Sequence, residues 1–278
     1  MISRLAGAVL RAMCVVALIL MPSLVLEGTT ADTAQIAALI ALFAAVLTLV
    51  EYGSDAPSLV EFRDAPPFNR IRFLSIFITV LLLTAIIQVP SDGAILRRFV
   101  EILGRLVAQA VDFPYSPVRL VVLAMPSNMD ADLIERIRTA AGIAYVISLL
   151  SIAIFVWLML IHRWPSRARP FNVWVNLPMF DPSAGDDVVT RLYRDARINL
   201  ILGFLLPFVM PAVVKAAASF LDYSVLSDNQ TLIWTMTAWA FLPASLLMRG
   251  IALAKVGMII EGKRRKAYAR AERDGFLA

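Results

Sequence analysis

Long apolar stretches alternate with short charged segments along the whole chain. Six stretches carry almost no charge, at residues about 13–26, 35–50, 73–89, 142–161, 198–221 and 232–248. A helix of roughly 20 apolar residues is long enough to cross the hydrocarbon of a bilayer. Helices and closed barrels satisfy every backbone polar group in lipid, and these runs lack the alternation of barrel strands. The pattern predicts an all-α integral membrane protein with six transmembrane helices.

Composition agrees with a lipid environment. Apolar residues make up 60% of the 278 residues, charged residues make up 17%, and the mean hydropathy is +0.77. Soluble domains average about 45 to 50% apolar and about 25% charged residues. The six spans leave room for a few interfacial helices but not for a soluble domain with its own core, which predicts one polytopic membrane domain over residues 1–278. Residues 1–26 also have features of a signal peptide, but Arg11 interrupts the apolar run, so we expect a retained first span.

The distribution of basic residues predicts the orientation. Lys and Arg resist translocation and accumulate in cytoplasmic connections. Their numbers alternate: two before the first span, none at 27–34, three at 51–72, six at 162–197, none at 222–231 and eight after residue 248. The connection at 90–141 has six arginines yet is predicted to be external, because six acidic residues balance them and long segments translocate regardless of charge. Both termini are predicted to be cytoplasmic.

The external segment, residues about 94–140, has an amphipathic pattern. Arg98, Arg105 and Asp112 share one face of a helix from Ala94 to Asp112, with apolar residues on the rest. This pattern predicts an interfacial helix that lies flat on the outer leaflet. Asp130 is predicted to open a second helix that continues into the fourth span.

The fifth span contains the residues with the strongest functional signal. Lys215 lies at membrane depth, where a cation is costly unless it is paired, hydrated or extended to the interface, and Asp222 is near enough in sequence to be a partner. Pro207 and Pro211 are predicted to kink or open the helix, as in the broken helices of many transporters. The alternative is that neighbouring helices satisfy the freed carbonyl groups. Ser183, followed by Asp186, is predicted to cap the start of this helix.

A basic cluster lies in the tail, residues 261–278. It consists of Lys263, Arg264, Arg265 and Lys266, directly after the last span. Such clusters attract anionic lipids at about 1 kcal/mol per basic residue. We therefore predict contact with anionic lipid or a partner at the cytoplasmic face. The net charge of +5 is spread along the chain instead of forming one patch, so nucleic acid is not an expected partner.

Signals of enzymatic chemistry are weak. The chain has one cysteine and one histidine, and it contains no Walker, dinucleotide-binding, HExxH or GxSxG motif. We predict no catalytic residues, no metal site and no cofactor. A lipid-modifying enzyme is a minor alternative, in which His162 would meet the aspartates Asp181, Asp186 and Asp187, although helix capping explains those aspartates more simply.

Two functional hypotheses follow. The first is a non-enzymatic accessory, assembly or scaffold subunit that packs laterally against other membrane subunits or its own copies. The alternative is a transporter or channel component with a path beside the fifth helix and Lys215. Arg outnumbers Lys by 22 to 4, a bias typical of GC-rich bacterial genomes, which predicts a bacterial inner membrane. A repeated Pro-Phe-Asn triplet, at 67–69 and 170–172, is compatible with either duplication or coincidence.

Overall fold

The computed structural model describes residues 2–55, 58–88, 95–161, 164, 171–178, 180, 185, 187–216 and 226–274. In these ranges the regular elements are nine α-helices and there is no strand: α1 (Ile2–Val25), α2 (Ala31–Gly53), α3 (Phe68–Ile87), α4 (Ile95–Val111), α5 (Pro117–Ala124), α6 (Ala131–Ile161), α7 (Val173–Asn176), α8 (Val188–Ala216) and α9 (Asn229–Arg273). Six of them, α1, α2, α3, α6, α8 and α9, are long and apolar enough to cross a membrane. The prediction of a helical multi-pass membrane protein is confirmed.

The helices extend beyond most of the predicted spans. α1 begins at Ile2 instead of residue 13 and α3 at Phe68 instead of residue 73. α6 begins at Ala131, as predicted for a helix that Asp130 opens and that continues into the fourth span. Hydropathy locates only the part of a helix that lies in hydrocarbon, whereas backbone hydrogen bonds continue the helix through the charged residues at its ends. The ends of the third and fifth predicted spans, at 89 and 217–221, lie outside the described residues.

Ion pairs and hydrogen bonds define the two ends of the bundle. On the proximal side, where α1 begins and α2 ends, Arg4 pairs with Asp55, and Arg249 of α9 pairs with Glu61. On the distal side, where α9 begins, Gln230 donates a hydrogen bond to Ser23 at 2.9 Å. α1 and α2 are therefore antiparallel, and α9 runs from the distal to the proximal side. Arg264, late in α9, pairs with Asp187 at the start of α8, so α8 and α9 are antiparallel too.

α3, α6 and α9 form the core of the bundle, with α1 packed on α3 and α8 packed on α9. α8 packs along α9, whereas α2 packs on α1 and is the least buried of the six long helices. One apolar cluster fills the distal half and includes Val80, Leu83 and Ile233. A second cluster fills the proximal half around Phe62 and Trp164. These two clusters hold α9 in place along the membrane-spanning part of its length.

The amphipathic segment forms the predicted helix. α4 packs on α6 through small residues, and a Cβ atom added at Gly142 would lie 2.6 Å from the Cα atom of Ala108. Phe99, Ile102 and Leu106 are exposed on α4. Asp112, just after α4, forms ion pairs with Arg119 and Arg138, both at 2.9 Å. The location of α4 on the outer leaflet remains a prediction.

Candidate functional site

α8 contains the three residues that carry the strongest sequence signal, Pro207, Pro211 and Lys215, and its start is fixed by a capping residue. Asp187 caps its start, because its carboxylate accepts hydrogen bonds from the backbone nitrogens of Val189 at 3.1 Å and Thr190 at 3.3 Å. The prediction of a start near Ser183 is therefore wrong for this helix, which begins at Val188; Ser183 and Asp186 lie outside the described residues. A side chain that bonds two free amides at a helix start is the usual N-cap arrangement.

The helix continues through both prolines. Pro207 and Pro211 are buried within α8, which is helical from Val188 to Ala216, so the helix does not open between Gly203 and Pro211; the predicted kink there stays a prediction. Gly203, Pro207 and Pro211 recur every four residues and so lie on one face of the helix. Because that face is buried in the bundle, the cost of the two missing N–H groups is offset by packing, as in other membrane helices that contain proline.

The backbones of α8 and α9 approach each other closely along this face. A Cβ atom added at Gly203 would lie 2.8 Å from the carbonyl oxygen of Pro243. A Cβ atom added at Gly250 would lie 2.9 Å from the carbonyl oxygen of Ala196. Small residues that permit such contact are typical of tightly packed membrane helices. The seam between α8 and α9 is closed at Gly203 and Gly250.

Lys215 bonds to a helix end. Its Nζ atom donates a hydrogen bond to the carbonyl oxygen of Leu123 at 2.8 Å, in the last turn of α5. The last carbonyls of a helix lack partners within it and carry partial negative charge, so a cation there is stabilised. Asp222, the expected partner, lies outside the described residues. Lys215 therefore links α8 to α5.

A pocket lies apart from these residues. It is formed at the distal ends of α1, α2 and α9, between residues 26–33 and 227–230, and Lys215, Pro207 and Pro211 do not line it. The described part of the chain contains no group of three or more His, Cys, Asp and Glu side chains that could hold a metal ion. His162 and Asp181 lie outside the described residues.

The basic tail is helical and belongs to α9. Arg264 pairs with Asp187 at the start of α8, and Arg265 pairs with Glu261 one turn earlier. The hydrogen bond from Arg264 lowers the pKa of Asp187 below its ordinary value. Lys263 and Lys266 are exposed and make no ion pair with a described residue. Two of the four predicted contact residues are thus engaged within the chain, and two remain available to lipid or a partner.

A charged network on the proximal side was not predicted from the sequence. Glu61 accepts two hydrogen bonds from Arg249, at 2.6 Å from Nε and 2.7 Å from the second guanidinium nitrogen. Glu51, at the end of α2, accepts hydrogen bonds from the backbone nitrogens of Leu59 at 2.6 Å and Val60 at 3.1 Å. These carboxylates fix the connection between α2 and α3 against the bundle. The sequence showed them only as charges in a short connection.

Aromatic residues and an amide complete this proximal layer. Trp164 donates a hydrogen bond from Nε1 to the carbonyl oxygen of Ala65 at 3.1 Å. The side-chain oxygen of Asn176 accepts a hydrogen bond from the backbone nitrogen of Asp64 at 3.1 Å. Phe62 contacts Phe68 and Phe171, which belong to the two Pro-Phe-Asn triplets, with ring centroids 4.5 Å and 6.2 Å away. The two connections therefore meet in one apolar cluster.

The chain was compared with protein-family models, curated proteins and solved structures. None of these comparisons yields a match.

Proposed function

We propose that the chain is a non-enzymatic accessory, assembly or scaffold subunit of a larger complex in a bacterial inner membrane. The observation that carries the proposal is the closed seam between α8 and α9. Pro207 and Pro211, two of the three residues beside the alternative transport path, are buried, and Gly203 on the same face of α8 lies against the backbone of α9. Close packing of α8 against α9 suits lateral assembly.

The orientation in this proposal places both termini in the cytoplasm. The proximal side carries Arg4, Arg63, Arg249 and the tail of α9, and basic residues accumulate on the cytoplasmic side of membrane proteins. The exposed tail lysines, Lys263 and Lys266, then face the anionic headgroups of the inner leaflet. The apolar face of α4 lies against the outer leaflet.

The partner surface in this proposal is α2. This helix packs on α1 through Ala41, which is buried, while Leu39, Phe43 and Val46 are exposed along the rest of its length. A transmembrane helix that packs on one neighbour can accept a second helix on its free face. We propose another membrane subunit, or a second copy of this chain, at that position.

Cross-linking from α2 tests the proposal. In a Cys14→Ser background, Phe43→Cys lies on the free face of α2 and Ala41→Cys, the matched control, faces α1. We expect a bifunctional thiol–amine cross-linker in native membranes to join the Phe43→Cys variant to another polypeptide and to leave the Ala41→Cys variant as a monomer. Mass spectrometry of the product identifies the partner. A Phe43→Cys chain that stays monomeric and is purified from native membranes alone would contradict the proposal.

Lys215 separates this proposal from transport. We expect Lys215→Met to lower the free energy of unfolding by at most about 1 kcal/mol, because an exposed cation at a helix end contributes about 0.3–1 kcal/mol. Lys215→Arg keeps the charge and should retain the stability of the wild type. Thermal unfolding in mild detergent measures both. If Lys215→Met assembles normally but abolishes a solute flux measured in vesicles, the chain is a transport component instead.

A further inference from the structure

The last turns of α9 carry basic side chains that the rest of the described chain does not neutralise. Two of the six cations after residue 262 are engaged, because Arg264 pairs with Asp187 and Arg265 pairs with Glu261. The other four side chains are exposed and form no ion pair or hydrogen bond with a described residue: Lys263, Lys266, Arg270 and Arg273.

These four unpaired cations share one face of the helix. They are spaced three, four and three residues apart, so they fall within an arc of about 80° and extend over about 15 Å of the helix. We call this row of side chains the basic stripe. Glu261 and Arg264, which contact α8, lie on the other side of α9. Glu272 is on that other side as well, and Asp274 follows the last helical residue, so no carboxylate of the helix interrupts the stripe.

The basic stripe is unfavourable without an anionic counterpart. Its successive members lie one turn apart, where like charges repel each other. The negative end of the helix dipole stabilises Arg270 and Arg273, which belong to the last turn. It does not stabilise Lys263 and Lys266 in the same way, because the effect falls off within that turn. The stripe as a whole therefore calls for acidic groups along its length.

The basic stripe runs away from the membrane. α9 is one of the six membrane-spanning helices and continues without a break to Arg273. Because the stripe is parallel to the helix axis, Arg270 and Arg273 lie about 6 Å and about 10 Å further out along that axis than Lys266. The lysines at the start of the stripe can face headgroups, but a flat lipid surface cannot follow the stripe outward. An elongated partner that lies along α9 can contact all four cations.

This part of α9 also lacks an apolar face. A helix that lies on a lipid surface inserts side chains such as Trp, Phe or Leu into it. Apart from charged residues, positions 263–273 contain only three alanines and Tyr268. Guanidinium groups bind carboxylates through two parallel hydrogen bonds, which suits Arg270 and Arg273 to Asp or Glu side chains. An acidic protein surface matches the stripe better than lipid does.

We propose that the basic stripe, and Arg270 and Arg273 above all, binds an acidic helix of a partner protein on the proximal side. A helix that packs along α9 presents side chains at the same spacing of three and four residues, so a row of Asp or Glu on one face meets the row of cations. This inference rests on the proposed function, because it specifies the chemistry of a partner of the subunit.

Peptide binding to the full chain, purified in an uncharged detergent, tests the stripe by fluorescence anisotropy. The first probe is a labelled helical peptide with glutamates spaced three, four and three residues apart, and the second has the same composition with the glutamates on all faces. We expect the patterned peptide to bind more tightly. Arg270→Gln/Arg273→Gln should weaken its binding about fivefold, as expected for the loss of two exposed ion pairs. Arg270→Lys/Arg273→Lys should retain most of the affinity, since the charges remain.

A matched control separates the stripe from the general charge of the tail. Arg264→Gln/Arg265→Gln also removes two charges, but from outside the stripe, and it should bind the patterned peptide as the wild type does. If this control loses as much affinity as Arg270→Gln/Arg273→Gln, or if the two peptides bind equally, the stripe is not a specific surface. Short-chain phosphatidylglycerol and a double-stranded oligonucleotide serve as competitors. If either displaces the peptide and depends on Arg270 and Arg273 for its own binding, the partner is not an acidic protein.

The α2 cross-link tests the proposed function separately from the stripe. If Phe43→Cys captures no subunit but the patterned peptide binds, the lateral interface is contradicted and the basic stripe stands. If Phe43→Cys captures a subunit but the chain does not bind the patterned peptide, the proposed function stands and the stripe is overturned.

Discussion

Replacing Glu61 by glutamine is expected to lower the free energy of unfolding by about 2–3 kcal/mol. Removing one partner of a buried ion pair costs about 3–5 kcal/mol, because the other charge is left without compensation. The Glu61 side chain is 11% exposed and Arg249 is 30% exposed, so some of that cost is relieved by water. The pair joins α9 to the connection between α2 and α3, and its loss also loosens that connection.

Unfolding in mixed micelles with increasing denaturing detergent measures this effect. Asp55→Asn is the matched control, since it breaks the Arg4–Asp55 pair, whose side chains are 53% and 95% exposed, and it should change stability by less than about 0.5 kcal/mol. The double variant Glu61→Gln/Arg249→Gln should recover part of the loss, because it removes the unpaired charge. If Glu61→Gln is as stable as Asp55→Asn, the Glu61–Arg249 pair does not hold α9.

Replacing Gly203 by alanine is expected to destabilise the α8–α9 hairpin by about 1–3 kcal/mol, the usual cost of overpacking. The new methyl group would lie 2.8 Å from the Pro243 carbonyl oxygen and 2.9 Å from the Leu247 backbone nitrogen. Both atoms belong to the backbone of α9, which cannot turn away as a side chain does. The helices must therefore separate at this position.

Replacing Gly262 by alanine should instead raise the free energy of unfolding. Nothing lies within 4 Å of a Cβ atom added at that position on α9, and alanine is about 0.5–1 kcal/mol more favourable than glycine inside a helix. The same denaturing-detergent titration, applied to both variants, compares the two sites directly. If Gly203→Ala unfolds together with or after Gly262→Ala, α8 and α9 are not in close contact and the argument against a transport path fails.

The sequence predicted the membrane helices well because hydrocarbon leaves few alternatives. A stretch such as 142–161 carries no charge, and in hydrocarbon its backbone polar groups must find partners within the segment, so a helix is the expected result. α4 was predictable for a related reason, because its apolar and charged residues lie on different faces of a helix. Helix existence follows from local chemistry in both cases.

The candidate sites were less predictable because they depend on residues far apart in the chain. Arg249 and Glu61 are separated by 188 positions, and neither has a local pattern that selects the other. Pro207 looked like a helix breaker. A proline disturbs a helix because it removes one backbone hydrogen bond and its ring presses on the carbonyl group four residues earlier. Within a packed bundle, neighbouring groups offset that cost and the helix persists.

Because α9 is long, the tail is a continuous helical extension of the last transmembrane helix. Its 45 residues have a contour of about 68 Å, more than twice the hydrocarbon thickness of about 30 Å. From Arg249 to Arg273 the helix extends about 36 Å past the Glu61 anchor without a flexible joint. Whatever docks near Lys263 is consequently held at a fixed distance from the Glu61 anchor, because one continuous helix joins the two positions.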